Sequence, residues 1–297
     1  MKTKDHRTDS GDRLHRFTSR DGTEIVARVE GEGPPVVLLP AGPGDSEFSW
    51  RHVVQFLKDQ CTCYMLETRG RGKSGDSPDH SPDRLIEDVL ECVESIDEPA
   101  GLVGWGSALW ARVAAINPAS IVAVVVYEPG AGEVMSKESG KRMGDIFASV
   151  GELAEEGRYS DAAHRFIVDC DVIYSQDDID SGAPAEFWES AAHRIPLFLN
   201  ESKQASASGA PGPTSPEVLS KIEIPVLLMY GDRTGKWFRN SVKHVAGHIP
   251  NTRTCEIPDA AHFGPLTHPA EVAHEMGEFF SSHFSKTATG DTEVVLE

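Results

Sequence analysis

Three short segments of this chain carry the residues that could do chemistry. Residues 38–45 read LLPAGPGD, residues 103–108 read VGWGSA, and residues 258–263 read PDAAHF. The middle segment has the form of a strand that enters a tight turn and leaves as a helix, the setting in which a histidine activates a serine nucleophile. His262 supplies an imidazole, but glycines stand where the serine is expected. The sequence therefore predicts a general base without its usual nucleophile.

Alternating strand and helix signals surround these segments. Continuous apolar runs are typical of strands covered on both faces, and apolar residues at helical spacing indicate amphipathic helices. The strand signals lie at residues 24–29, 35–39, 62–66, 101–103, 121–127 and 224–230, and the helix signals at 50–57, 82–96 and 109–116. This alternation predicts an α/β fold with a mostly parallel, doubly wound sheet.

The strand signals stop in the middle of the chain, where helical spacing takes over. We interpret residues 135–204 as a helical cap inserted into a core formed by residues 16–134 and 218–285. Residues 205–217 are rich in Ser, Gly, Pro and Ala and are expected to form a flexible linker. Residues 1–15 and 286–297 are expected to be disordered tails.

Further motifs give these segments a family context. Residues 40–44, PAGPG, stand where some hydrolases carry an HGGPG-like oxyanion loop, and residues 67–75, ETRGRGKSG, match a DxRGxGxS segment with Glu67 in place of Asp. With the strand before Gly231 and the AHF of residues 261–263, they occur in the order found in the α/β-hydrolase superfamily. From about Phe17 to Phe284 the chain resembles a capped member of that superfamily. The resemblance implies its fold and hydrolase-like chemistry.

The resemblance leaves the register of the nucleophile turn open. Residues 102–107, LVGWGS, lie over a family pattern such as LVGHSx, which puts the nucleophile position at Gly106. Counting back from Pro118 by the usual length of the following helix puts it at Gly104 instead. Ser107 is the nucleophile only if that helix is shorter still, and otherwise it caps the first helical turn. A chain whose serine was deliberately replaced would look the same.

The carboxylate that should orient His262 is also displaced. The usual acid position is Thr234, which carries no charge, and Asp232 stands too early and is expected to cap the turn. Glu128 follows the 121–127 strand directly, where haloalkane dehalogenase-like members of the superfamily take their acid. We therefore predict that Glu128 orients His262. The alternatives are a turn carboxylate at Glu128 and a histidine that is merely packed.

Backbone N–H groups are expected to form the oxyanion site. The candidates are those of Ala41 or Gly42 and of the residue after the nucleophile position, which is Ser107 in one register and Trp105 in the other.

A pocket under the cap is expected to take a small, largely apolar molecule. Its candidate lining residues, which could also be ordinary packing residues, are Trp188, His193, Phe198, Trp237 and Phe263. His164 and His193 have no carboxylate or cysteine partner at metal-ligand spacing, so neither a metal nor another cofactor is expected.

Composition limits the partners. The net charge of −19 and the pI near 5.0 argue against nucleic acid and anionic membranes, because an acidic surface repels both. The first residues lack an apolar signal region, and no stretch is apolar enough to span a membrane. Five cysteines, an odd number, are expected to be reduced in a cytoplasmic protein that could form a homodimer.

These features support two hypotheses from different classes. In the first, the protein is an enzyme in which His262 acts as a general base on substrate or water, in ester, epoxide or C–C bond hydrolysis or a lyase-like reaction. In the second, it is a non-catalytic small-molecule binder that kept the fold and the pocket. A serine hydrolase that uses Ser107 is a variant of the first hypothesis.

Overall fold

A mostly parallel sheet of eight strands forms the centre of the protein. The computed structural model describes residues 13–116, 119–170, 174–177 and 182–289. The strands are β1 (Leu14–Thr18), β2 (Glu24–Glu30), β3 (Pro35–Leu38), β4 (Thr62–Glu67), β5 (Ala100–Trp105), β6 (Ile121–Tyr127), β7 (Val226–Gly231) and β8 (Thr252–Ile257). Their order is β1-β2-β4-β3-β5-β6-β7-β8, and only β2 runs antiparallel to its neighbours. The predicted α/β sheet is confirmed.

Helices cover both faces of this sheet. In chain order they are α1 (Ser46–Leu57), α2 (Pro82–Ser95), α3 (Leu109–Ala115), α4 (Lys137–Glu155), α5 (Tyr159–Ile167), α6 (Ala185–Ala207), α7 (Pro216–Leu219), α8 (Lys236–Ala246), α9 (Gly264–Thr267) and α10 (Pro269–Thr289). Trp50 of α1 belongs to the apolar cluster on one face, and Val89 of α2 and Trp110 of α3 belong to the cluster on the other. Both faces are buried, so the inner strands are apolar throughout.

The parallel strands bring the chemical segments together. All residues of β3 and β5 are buried, as are all but one of β6, whose β-branched sequence IVAVVVY suits a central strand. Because β3, β5, β6 and β7 are parallel neighbours, their carboxyl ends lie at one edge. The loops that follow residues 38, 105, 127 and 231 therefore converge, as they do in other open α/β sheets.

Helices α4, α5 and α6 occupy the segment predicted as a cap, between β6 and β7. Ion pairs join α6 to the core. Arg194 Nε lies 2.7 Å from Asp45 Oδ1, and Glu186 of the same helix pairs with Arg51. None of the helices in the described ranges combines the length and apolarity needed to cross a bilayer.

Three predicted boundaries need correction. Leu14 pairs with Arg28 and is buried, so β1 begins inside the expected N-terminal tail. Helix α6 continues through Ala207 into the expected linker, because residues 200–207 contain neither Gly nor Pro to stop it. Helix α10 continues to Thr289, beyond the expected end of the core.

Candidate active site

Gly106 forms the turn between β5 and α3. Its φ is +64°, in the left-handed region that favours glycine. Its N–H donates to Tyr127 O at 3.1 Å, and its own carbonyl accepts from Gly130 N at 3.0 Å. A Cβ built on Gly106 would lie 3.5 Å from Cε1 and 3.6 Å from Nε2 of His262. Gly106 therefore has the position and backbone conformation expected of the nucleophile residue.

The alternative register at Gly104 fails. Gly104 lies within β5, and a Cβ there would come within 2.9 Å of Trp110 Cδ1, toward helix α3 and away from His262. Trp105 therefore does not follow the turn, and its predicted role as an oxyanion donor is wrong. Its backbone pairs with Tyr127, and its indole Nε1 donates to His262 O at 3.0 Å. Pro118, from which that register was counted, lies outside the described residues.

Ser107 lies in the turn, two residues before α3 begins at Leu109. Its Oγ accepts the N–H of Leu109, the first residue of α3, at 3.3 Å, although the N-cap position of that helix is Ala108. Its own N–H lies 2.5 Å from Trp105 O within the tight turn. The side chain also borders the cavity described below. The hydroxyl thus has a structural hydrogen bond at this position.

The Glu128 carboxylate contacts His262 directly. Glu128 Oε2 lies 2.8 Å from His262 Nδ1 and accepts a further hydrogen bond from Thr234 Oγ1 at 2.8 Å. Oε1 accepts the N–H of Gly231 at 3.0 Å. Glu128 is fully buried, and these three partners satisfy a carboxylate that would otherwise be costly to bury. Thr234, at the usual acid position, thus supports the displaced acid.

The backbone of Glu128 is strained. Its φ is +46°, uncommon for a residue with a side chain, and its N–H is held by Met229 O at 2.8 Å. Such strain persists where the surroundings fix it, often at functional sites. Here it turns the carboxylate from the end of β6 toward the His262 loop.

Several packing contacts and hydrogen bonds fix the position of the His262 imidazole. The His262 ring stacks on Phe238, with centroids 4.0 Å apart and planes 8° apart, and its centroid lies 5.3 Å from that of Tyr174. Tyr127 Oη donates to Ala261 O at 2.7 Å and so holds the loop before it. With Nδ1 against Glu128, the ring nitrogen on the Gly106 side is Nε2. This arrangement suits an imidazole that takes a proton at Nε2.

The hydrogen bonds of the loop after β3 distinguish between the predicted oxyanion donors. The N–H of Ala41 already donates to Ser49 Oγ at 3.1 Å, so Ala41 is a poor candidate. Gly42 lines the cavity, and its N–H has no hydrogen-bond partner within the described part of the chain. Gly42 is therefore the better donor, whereas the N–H of Ser107, like that of Ala41, already has an acceptor, which is Trp105 O at 2.5 Å.

A cavity of about 230 Å³ is bordered by Gly42, the Gly106 turn and His262. Its walls are mostly apolar. They are formed by Pro40, Ala41, Gly42, Thr68, Arg71, Leu85, Trp105, Gly106, Ser107, Leu109, Phe166, Tyr174, Phe198, Glu201, Trp237, Phe238 and His262. Trp237 and Phe198 are thus cavity residues. The Trp237 Nε1 atom is buried and has no hydrogen-bond partner among the described residues.

Three predicted lining residues are not part of this wall. His193 is exposed on α6, because the helix turns that position toward solvent. Trp188 is half-buried on the same helix and packs edge-on against Phe187. Phe263 is buried behind the site, with its ring against those of Trp105 and Tyr174.

Sequence reasoning missed a charged pair in the wall. Arg71 and Glu201 pair through both terminal guanidinium nitrogens and both carboxylate oxygens, with an Nη2–Oε2 distance of 2.9 Å. Arg71 belongs to the recognised 67–75 motif, which could have drawn attention to it. Glu201 stands near the end of the predicted cap, and no sequence signal marks it.

Comparisons with known proteins agree with this fold. The putative non-heme bromoperoxidase BpoC of Mycobacterium tuberculosis is 24% identical over 265 residues, which cover 85% of this chain and 95% of that protein. A cis-3-alkyl-4-alkyloxetan-2-one decarboxylase of Shewanella oneidensis is 30% identical over 123 residues, covering 39% of this chain and 38% of that one.

Solved structures share the whole architecture. An alpha/beta hydrolase from Sphaerobacter thermophilus superposes with a TM-score of 0.67 at 25% identity, over 90% of this chain and 100% of that one. A bromoperoxidase from Bacillus anthracis gives 0.71 at 20% identity, over 90% and 99%. The sequence model of the alpha/beta hydrolase family matches residues 36–275, which include most of β3, the Gly106 turn, Glu128 and His262. The chain belongs to the alpha/beta hydrolase family.

Proposed function

We propose that this protein is a hydrolase-like enzyme that works without a serine nucleophile. The observation that carries the proposal is the Glu128–His262 pair beside a turn whose glycine leaves the nucleophile space empty of side-chain atoms. His262 acts as a general base on a water molecule in that space, and Glu128 holds the ring with Nε2 directed there.

The reaction on an ester proceeds in two balanced steps. Nε2 takes a proton from water while the water oxygen bonds to the carbonyl carbon, and the carbonyl π electrons move to oxygen. The N–H group of Gly42 stabilises that oxyanion. The intermediate then expels the alkoxide, which takes the proton from the imidazolium. No covalent enzyme intermediate forms. A substrate with an acidic C–H would lose its proton to Nε2 in the same way.

The cavity supports a small, largely apolar substrate. Six Phe, Trp and Tyr side chains line its wall, and its volume of about 230 Å³ suits a molecule of one ring or a short chain. The relatives carry different printed activities, among them bromoperoxidase, decarboxylase and, for a mouse protein 31% identical over 125 residues, epoxide hydrolase. These relatives support a hydrolase-like activity. The screen described next identifies which bond is broken.

The experiment screens small esters, lactones, epoxides and diketones by thermal shift and follows each hit by mass spectrometry. We expect the parent to convert at least one hit, and His262→Ala to lower that rate by about 100-fold or more. His193→Ala, which changes an exposed histidine, is the matched control and should keep full activity. If every hit is recovered unchanged and binds the parent and His262→Ala with near-equal affinity, the protein is a binder instead.

A further inference from the structure

We propose that Glu201 is a specificity-determining residue that accepts a hydrogen bond from a hydroxyl or amino group of the substrate. This inference deepens the proposed function, because it takes the cavity beside Gly106 and His262 as the substrate site. Both Arg71 and Glu201 line that cavity, in a wall that is otherwise largely apolar.

The hydrogen-bond inventory of the pair leaves acceptor capacity on Glu201. Arg71 donates from Nε to Gly44 O at 3.0 Å, from Nη1 to Thr68 Oγ1 at 2.9 Å, and from both terminal nitrogens to Glu201. A guanidinium has about five N–H donors, so it is almost saturated. Each Glu201 oxygen accepts one of these bonds and keeps a lone pair. The pair can therefore accept more hydrogen bonds from a ligand than it can donate.

Burial makes this capacity selective. The side chain of Arg71 is 4% exposed and that of Glu201 is 14% exposed, so water competes weakly for the remaining lone pairs. A ligand that leaves them unpaired after excluding water is penalised, whereas one that donates to them gains a charge-assisted bond. Buried polar groups of this kind discriminate between analogues more strongly than apolar walls do.

The position of Glu201 gives a ligand access from two sides. A second cavity of about 470 Å³ adjoins the first, and Glu201 borders both, together with Leu85, Ser107, Leu109 and Phe198. The other ion pairs of α6, Arg194 with Asp45 and Glu186 with Arg51, involve no residue of either wall. Those two ion pairs attach α6 to the core, whereas the Arg71–Glu201 pair borders the substrate cavity and can contact a ligand.

Charge favours a donor over an anion as the recognised group. Glu201 already occupies the strongest anion-binding atoms of Arg71, and the chain carries a net charge of −19 that opposes the approach of anions. The substrate class is therefore a small apolar molecule that carries an alcohol, phenol or amine, with its reacting carbonyl at Gly42.

The test compares the affinities of three ketones that have no scissile bond, measured by titration calorimetry: 4-hydroxyacetophenone, 4-methylacetophenone and 4-acetylbenzoate. We expect the parent to bind the phenol about 10-fold to 100-fold more tightly than the methyl compound, and the carboxylate most weakly. Glu201→Leu should abolish the preference for the phenol. Because that change leaves the Arg71 charge buried and unpaired, the Arg71→Met, Glu201→Leu double variant provides a second, uncharged test.

Glu186→Gln, which breaks another ion pair of α6, is the matched control and should keep the parental preference. Equal affinity of the parent for the phenol and the methyl compound overturns the proposal, as does a preference that survives in the double variant. Tightest binding of the carboxylate also overturns it and makes Arg71 the recognition group. Since these ketones are not hydrolysed, the result does not depend on turnover, and loss of the proposed function would appear separately in the His262→Ala assay.

Discussion

A Cβ atom on Gly106 would lie 3.6 Å from Nε2 of His262. A serine hydroxyl carried by that Cβ could come within hydrogen-bond reach of the imidazole without moving the backbone. The turn after β5 and the loop after β8 thus keep the spacing of a nucleophile and its base, although the nucleophile is absent. The space that a serine side chain would fill is next to a base already oriented by Glu128.

Restoring the hydroxyl should create esterase activity. Gly106→Ser is expected to hydrolyse p-nitrophenyl acetate faster than the parent, because His262, Glu128 and the Gly42 N–H are already placed for acyl transfer. Because the serine would have to adopt the positive φ of +64°, the free energy of unfolding of Gly106→Ser should be about 1 kcal/mol lower than that of the parent. Rates are measured by absorbance, and stability by urea denaturation.

Gly104→Ser serves as the comparison for that gain. Its Cβ would come within 2.9 Å of the buried Trp110 ring, so the variant should lose about 1 to 3 kcal/mol of stability and gain no activity. Activity in Gly104→Ser but not in Gly106→Ser would show that the nucleophile position has been assigned to the wrong glycine.

Removing the charge of Glu128 should disable the base. In the Gly106→Ser background, Glu128→Gln is expected to lower the rate by about 100-fold to 10,000-fold, because the imidazole loses the carboxylate that orients it and stabilises its protonated form. Thr234→Val removes only a supporting hydrogen bond at 2.8 Å and should cost about tenfold.

A proton NMR spectrum provides a second readout for these variants. The downfield resonance of the His262 Nδ1 proton should persist in Thr234→Val and disappear or move upfield in Glu128→Gln. An unchanged resonance and rate in Glu128→Gln would rule out the orienting role.

Glu67 should make stability depend on pH. Burial, with a contribution from nearby Asp45, raises the pKa of the Glu67 carboxyl to about 7 from an ordinary value of 4.5. Between these values the unfolded chain releases its proton while the folded chain keeps it. The free energy of unfolding therefore falls as pH rises from about 4.5 to 7, by on the order of 3 kcal/mol from this group.

Urea denaturation at pH 5, 6, 7 and 8 checks this effect. Glu67→Gln should show a shallower loss of stability over that interval than the parent, whereas Glu32→Gln, which changes an exposed carboxylate, should follow the parent. Parallel curves for the parent and Glu67→Gln would contradict the assigned pKa.

The sequence predicted those parts of the fold that are buried on both faces. The apolar runs of β3 and β6 identified central strands, and the position of Glu128 after β6 predicted its approach to His262. β8 was missed because it is an edge strand whose residues are mostly exposed or half-buried, so no apolar run marks it.

The remaining features of the site depend on relationships that one-dimensional patterns do not contain. Gly104 and Gly106 are both glycines two positions apart, and only the backbone φ and the neighbours of each Cβ distinguish them. Arg71 and Glu201 are separated by 130 residues and meet because α6 lies over the sheet edge. His193 lies on the same helix but on its exposed face, and its residue type gave no indication of that.

Labelling with a fluorophosphonate, followed by intact-protein mass spectrometry, tests the central claim most directly. The reagent phosphonylates an activated serine and requires no known substrate. We predict no mass increase for the parent, and a single adduct for Gly106→Ser that disappears when His262→Ala is added. An adduct at Ser107 of the parent, or a folded Gly106→Ser protein that stays unlabelled, would contradict the account of a competent base beside an absent nucleophile.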